Sequence, residues 1–184
     1  MHSYTDSIKI AGIEILSDLG KFTATSYWED GPSGYLINRA KRVGLEVSVD
    51  QWGNVLAVKP GSDPNAEGIA FVAHMDHPGY EVVAQQGDQL VLKTLGGIGT
   101  AAGRDGAEIL VIDASGRRIN ATVVGAEKSE GNFQRSRESA GWLGTDTVYA
   151  QLSKDHDLGV LPVPAVPNLP DFIIDNELVR MRAA

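Results

Sequence analysis

The hydrophobic period of this chain changes at Gly79, and that change limits the folds open to it. Beyond it come short β-like pieces separated by glycines: Glu81 to Ala84, Gln89 to Thr94, Glu108 to Ile112 and Arg118 to Val124. Evenly spaced short strands with Gly-Asp and Ser-Gly turns predict a small barrel or sandwich rather than a continuation of βαβ winding. Before Gly79 the pattern is mixed. Ile8, Ala11, Ile15 and Leu19 fall mainly three or four apart, which predicts an amphipathic helix from Ile8 to Leu19 closed by Gly20. A second helix is expected from about Pro32 to Val43, with Leu36, Ile37, Ala40 and Val43 as its apolar stripe and Gly44 as its C-cap.

After Gly44 the period becomes two. Leu45, Val47 and Val49 alternate with polar residues, Asp50 to Asn54 supplies turn chemistry, and Val55 to Val58 returns as a partner strand. The run Ile69-Ala70-Phe71-Val72-Ala73 is apolar on both sides, the pattern of a central strand with both faces covered. The fold class expected is therefore α/β, interrupted by a β-barrel-like insertion at residues 80–165. The polar stretch Glu127 to Thr145 is expected as a mobile loop inside that insertion. Leu161 to Pro170 contains four prolines and reads as a linker back to the first domain, since each proline removes a donor and fixes its backbone. Residues 1–79 and 166–184 would then form one domain.

Composition removes several kinds of function. The chain has 184 residues, 42% hydrophobic and 22% charged, enough for a sizeable core. It has no cysteine, so any metal must be held by His, Asp or Glu. The net charge of −8, with no basic run, argues against a nucleic-acid partner. No apolar stretch approaches the roughly 20 residues that span a bilayer, and the N-terminus lacks a basic region followed by an apolar run. A cytoplasmic location is the expectation.

The residues that suggest chemistry are His74-Met75-Asp76, directly after the apolar run. In an open α/β sheet the crevice at the carboxyl ends of the strands is where ligands bind. A neutral imidazole is a good zinc ligand, and it needs an acceptor on its other ring nitrogen to fix tautomer and orientation. Asp76 can be that acceptor.

These residues sit in a longer series. Gly31 to Gly79, with Gly44-Leu45-Glu46-Val47, Asp50, Gly53-Asn54-Val55, Pro60-Gly61 and Val72-Ala73-His74-Met75-Asp76-His77-Pro78-Gly79, resembles the N-terminal region of dinuclear zinc aminopeptidases, the tetrahedral and glutamyl aminopeptidases in particular. Leu95 to Gly99 and Gly116 to Gly125 look like the β-barrel insertion of that family, and Pro170 to Ala184 resembles the approach to its second metal motif. The resemblance implies a partial three-layer zinc-peptidase catalytic domain with an inserted barrel. It implies His74 as a ligand of one of two zinc ions, with cobalt or manganese as possible replacements. It implies Asp76 as the catalytic-site carboxylate that orients His74 and tunes the metal. The activity implied is hydrolysis of the N-terminal bond of a peptide by a metal-activated water, with a glutamate as general base. Relatives often carry an acidic residue where this chain has His77.

The remaining ligands and the base of that family lie downstream of the segment matched by Arg180 to Ala184, so the chain is expected to stop short of them. Asp171, Asp175, Glu177, His156, Asp157 and His2 are assigned to none of those roles. Two further readings stand beside the peptidase: a non-catalytic binding or assembly module, and a deacylase or amidase of the same clan. The partners expected are a peptide substrate and either further copies of the chain or a complementing C-terminal half.

Overall fold

The computed structural model describes residues 4–99, 102–127, 146–168, 172–174 and 177–179. Helix α1 runs Tyr4–Leu19 and helix α2 runs Asp30–Arg42. Gly44 stops α2 as expected: at φ +79° its N–H reaches the Lys41 carbonyl, and the Leu45 N–H reaches that of Ala40. That pair of bonds is a Schellman motif, which supplies donors to carbonyls the helix end leaves open. Asp30 in the first turn and Arg39, Lys41 and Arg42 in the last complement the helix dipole. No helix among the described residues is long and apolar enough to cross a membrane.

The predicted hairpin is present. Strand β1, Glu46–Val49, pairs antiparallel with β2, Val55–Val58, from Glu46 opposite Val58 to Val49 opposite Val55. Asp50 holds the turn, its Oδ1 accepting the Trp52 and Asn54 amides and its Oδ2 the Asn54 side chain, while Gly53 takes φ +86°.

The expected central strand at Ile69 to Ala73 is not formed. No strand among the described residues pairs with it, and Ile69, Phe71 and Val72 are 86%, 95% and 94% exposed. An apolar run becomes a strand only when neighbours satisfy its backbone and cover its faces, and here neither is supplied.

The barrel expectation is met. Strands β3 (Gly79–Gln86), β4 (Gln89–Leu95), β5 (Glu108–Ile112), β6 (Arg118–Ala126), β7 (Thr147–Leu152) and β8 (Val163–Pro167) close in the order β3-β4-β7-β6-β5-β8 with antiparallel neighbours. The side-chain period of two sends alternate residues inward. Val82, Leu90, Leu92, Ile109, Val111 and Val148 fill the interior with the ring of Tyr80, whose hydroxyl donates to the Ala102 carbonyl at 3.1 Å. Closure leaves no open sheet edge.

Two elements depart from expectation. The first is β7, which follows directly on the stretch anticipated as a loop; residues 128–145 of that stretch lie outside the described residues. The second is β8, expected as a linker and found as a buried barrel strand. Its prolines are tolerated because of stagger. β8 meets β3 at Val163–Ala165 and β5 at Ala165–Pro167. The Asn168 N–H points to β5, donating to the Glu108 carbonyl, so by alternation position 164 would also aim at β5 and position 167 at β3. Neither proline has a ladder partner on the side its missing N–H would face. A last antiparallel pair, β9 (Phe172–Ile174) with β10 (Glu177–Val179), follows the barrel.

Candidate functional site

His74 and Asp76 lie on the extended segment that leads into β3. The His74 Nδ1–H donates to Asp76 Oδ1 at 2.9 Å, and the imidazole is 82% exposed against 33% for the carboxylate. The two groups thus face each other, as the sequence predicted. With the proton on Nδ1, the Nε2 lone pair is left for an incoming electrophile.

Asp76 has a second partner, absent from the expectation. The Ser26 hydroxyl donates to Asp76 Oδ2 at 2.6 Å across a separation of 50 residues. This bond first, then that of His74, holds the Asp76 carboxyl below the usual carboxylate range, against the opposing effect of partial burial. The carboxylate is therefore charged, oriented at both oxygens and aimed at one imidazole.

Ser26 is held by its own neighbours. The Trp28 N–H donates to the Thr25 carbonyl at 2.9 Å, closing a turn in which Tyr27 takes φ +77°. A bulky residue in the left-handed region is strained, a condition that recurs at functional sites. Alongside runs the segment that carries Asp76. The His77 N–H donates to the Ala24 carbonyl at 2.8 Å and the Ala24 N–H donates to His77 Nε2 at 3.1 Å. Since Nε2 accepts, Nδ1 carries the ring proton and donates to the Pro78 carbonyl at 3.1 Å. His77 is thus half-buried and tied to the Ser26 segment. Thr25, fully buried, packs its methyl where a Gly79 side chain would go.

Neither Ser26 nor this use of His77 was legible from spacing. Serine has no signature of its own at so long a separation, and only the packing of residues 24–26 against 76–79 reveals it.

The other residues considered play different parts. His156 Nε2–H donates to Asp113 Oδ2 at 2.9 Å in the barrel, and Asp157 Oδ1 accepts the Gly159 amide. His2, Asp171 and Asp175 lie outside the described residues, as does the side chain of Glu177. Among the described residues no group of three or more His, Asp or Glu could hold a metal ion. One imidazole nitrogen with an oriented carboxylate fits a single corner of a zinc site. It falls short of the three protein ligands a catalytic zinc normally takes.

Comparison with solved structures agrees with this arrangement of segments. An aminopeptidase from the archaeon Desulfurococcus kamchatkensis matches with a TM-score of 0.69 at 18% identity, covering 91% of this chain and 46% of that one. The TET aminopeptidase of a marine sediment Thaumarchaeota archaeon matches at 0.65 and 19%, covering 92% and 48%. The chain has the fold of the TET aminopeptidases. The Pyrococcus horikoshii TET1 peptidase, matching at 0.62 and 20% over 89% and 48%, can assemble into a tetrahedron or a large octahedral shell. This chain spans about half the length of each of these three proteins. No family model and no curated protein matches the sequence.

Proposed function

We propose that this chain is the part of a zinc-dependent aminopeptidase that contributes one metal ligand, His74, and its orienting carboxylate, Asp76, within a partial three-layer peptidase domain carrying the barrel of strands β3 to β8 as an insertion. The observation that carries the reading is the 2.9 Å bond from His74 Nδ1 to Asp76 Oδ1, which leaves Nε2 on an exposed ring. An imidazole that donates one ring N–H to a carboxylate is the usual state of a metal-bound histidine. The fold shared with aminopeptidases gives that pair a context. When bound, two zinc ions would polarise the scissile carbonyl and lower the pKa of an attacking water. The remaining ligands and the general base would have to join those described above, from a longer chain or a complementing one, and the peptide substrate would bind where the two sets meet.

The test measures zinc content and the hydrolysis of leucine and glutamyl anilides by this chain alone and by a version extended past Ala184. The expected result is weak metal retention and no turnover by the chain alone, with both gained by the extended form and lost again in His74→Ala. An extended form that binds zinc and cleaves substrate equally well with His74→Ala would remove the assignment.

A second reading, a non-catalytic assembly module, is favoured by the exposed Ile69, Phe71 and Val72, which offer an apolar surface for self-association. Size-exclusion chromatography with and without a zinc chelator separates the two. Oligomers indifferent to chelation, in protein free of metal, support assembly without chemistry.

A further inference from the structure

We infer that Ser26 is a positioning residue for His74, acting through Asp76 to hold the imidazole in the tautomer and orientation that present Nε2 outward. The proposal rests on the reading of His74 as a metal ligand for its functional meaning, while the tautomer itself can be observed with no metal present.

The geometry assigns this role by a chain of bonds in which each group has one direction open. Ser26 Oγ–H can reach only an acceptor, and it donates to Asp76 Oδ2 at 2.6 Å. That bond fixes the carboxylate against rotation and leaves Oδ1 to receive the His74 Nδ1–H at 2.9 Å. Without it the carboxylate of a largely solvated pair is free to turn. An exposed imidazole without a fixed acceptor distributes its proton between both nitrogens, and only the form protonated at Nδ1 can use Nε2 as a donor of electrons.

The serine is itself delivered by backbone rather than by chance contact. The Thr25–Trp28 turn closes on the 2.9 Å bond from Trp28 N–H, with Tyr27 at φ +77°. On the other side, the paired bonds between Ala24 and His77 fasten that turn to the segment bearing Asp76. Thr25 is wedged against Gly79, where β3 and the rigid barrel begin. A strained turn clamped at two points, with its hydroxyl on a carboxylate, is an arrangement in which conformational cost is borne at a place that orients a reactive group. A serine needed only for local stability would have no reason to govern which nitrogen of an exposed ring carries the proton.

The experiment uses long-range ¹H–¹⁵N correlation spectra of the histidine rings in the whole chain at about pH 8, where free imidazoles are neutral. The spectra are followed first without metal and then with zinc alone added. In the unsubstituted protein His74 should show a protonated Nδ1 and a bare Nε2. Ser26→Ala should lower the ratio of that tautomer to its alternative at least about threefold. It should also raise the apparent zinc Kd at His74 about tenfold, the scale on which partners of metal-bound histidines act. Ser26→Thr, which keeps the hydroxyl, should restore both. Unchanged barrel amide signals in Ser26→Ala exclude unfolding as the cause. A Ser26→Ala protein with the same tautomer ratio and zinc response at His74 would overturn the proposal. If instead His74→Ala leaves the zinc response of the whole chain unaltered, the metal reading fails, and the metal-free tautomer comparison still decides the role of Ser26.

Discussion

At the scale of single residues, the site depends on close approach as much as on polar chemistry. Gly79 opens β3 with the Thr25 methyl on one side and the Ala165 carbonyl on the other; a Cβ there would lie 2.8 Å from that oxygen and closer still to the methyl. Neither neighbour can yield easily, because one belongs to a fully buried threonine and the other to a paired barrel strand. Gly79→Ala should therefore destabilise the protein by about 2–3 kcal/mol, in the range of core overpacking, measured as a drop in denaturant midpoint without a change in slope. An unchanged midpoint would show that residues 24–26 are not wedged as described. The pairing of His74 with Asp76 was legible in the sequence because the two stand two places apart within a longer ordered series of motifs. Ser26 was not, since its partner stands 50 positions away and a hydroxyl announces no function by spacing.

Among the elements, the short β-like runs set off by glycine turns were readable, whereas β7, directly after a polar stretch, and the proline-rich β8 were not. Gln89 to Thr94, Glu108 to Ile112 and Arg118 to Val124 are short runs rich in apolar residues between turn residues, and they emerge as β4, β5 and β6 with little change of boundary. β8 was hidden because a rule about prolines in central strands takes no account of stagger, which frees one side of each proline from pairing. Ile69 to Ala73 misled in the opposite sense: its composition suits a covered strand, but covering is a property of neighbours, not of the run itself.

The turn between β5 and β6, and through His156 the loop between β7 and β8, is held by charge and hydrogen bonds at Asp113. Asp113, 3% exposed, accepts from the Ser115 hydroxyl, His156, the Arg117 and Ser115 amides and the Arg117 side chain. The Ser115 hydroxyl first, then His156 and those amides, hold its carboxyl well below the usual range despite burial. A carboxyl with a depressed folded-state pKa stabilises the fold above its unfolded value of about 4 and loses that contribution as pH falls toward the folded value. Asp113→Asn should thus melt several degrees below the parent at neutral pH, and the gap should narrow as the pH drops below about 4. A gap of constant size from neutral to acid would mean that the charge of Asp113 is not what fastens the loop.

For the molecule as a whole, the barrel and the segments before it differ in how well they are covered. The barrel buries an apolar core inside a closed wall and leaves Val83, Val124 and Tyr149 partly exposed outside it, whereas Ile69, Phe71 and Val72 stand almost fully in solvent, and Val49 and Leu56 of the hairpin are half-exposed. Contiguous exposed apolar surface favours association. Phe71→Ser combined with Val72→Ser should lower the apparent mass or the aggregation of the protein in size-exclusion chromatography while leaving the thermal midpoint of the barrel unaltered. Equal elution of parent and variant would show that this strip plays no part in self-association.

The closing pair of the barrel has a topological consequence. Because β3 and β8 are neighbours, with Tyr80 opposite Ala165, the polypeptide arrives and departs at one rim along two adjacent threads. Everything strung between them can lengthen, shorten or diversify through evolution without altering the distance that the rest of the protein must bridge.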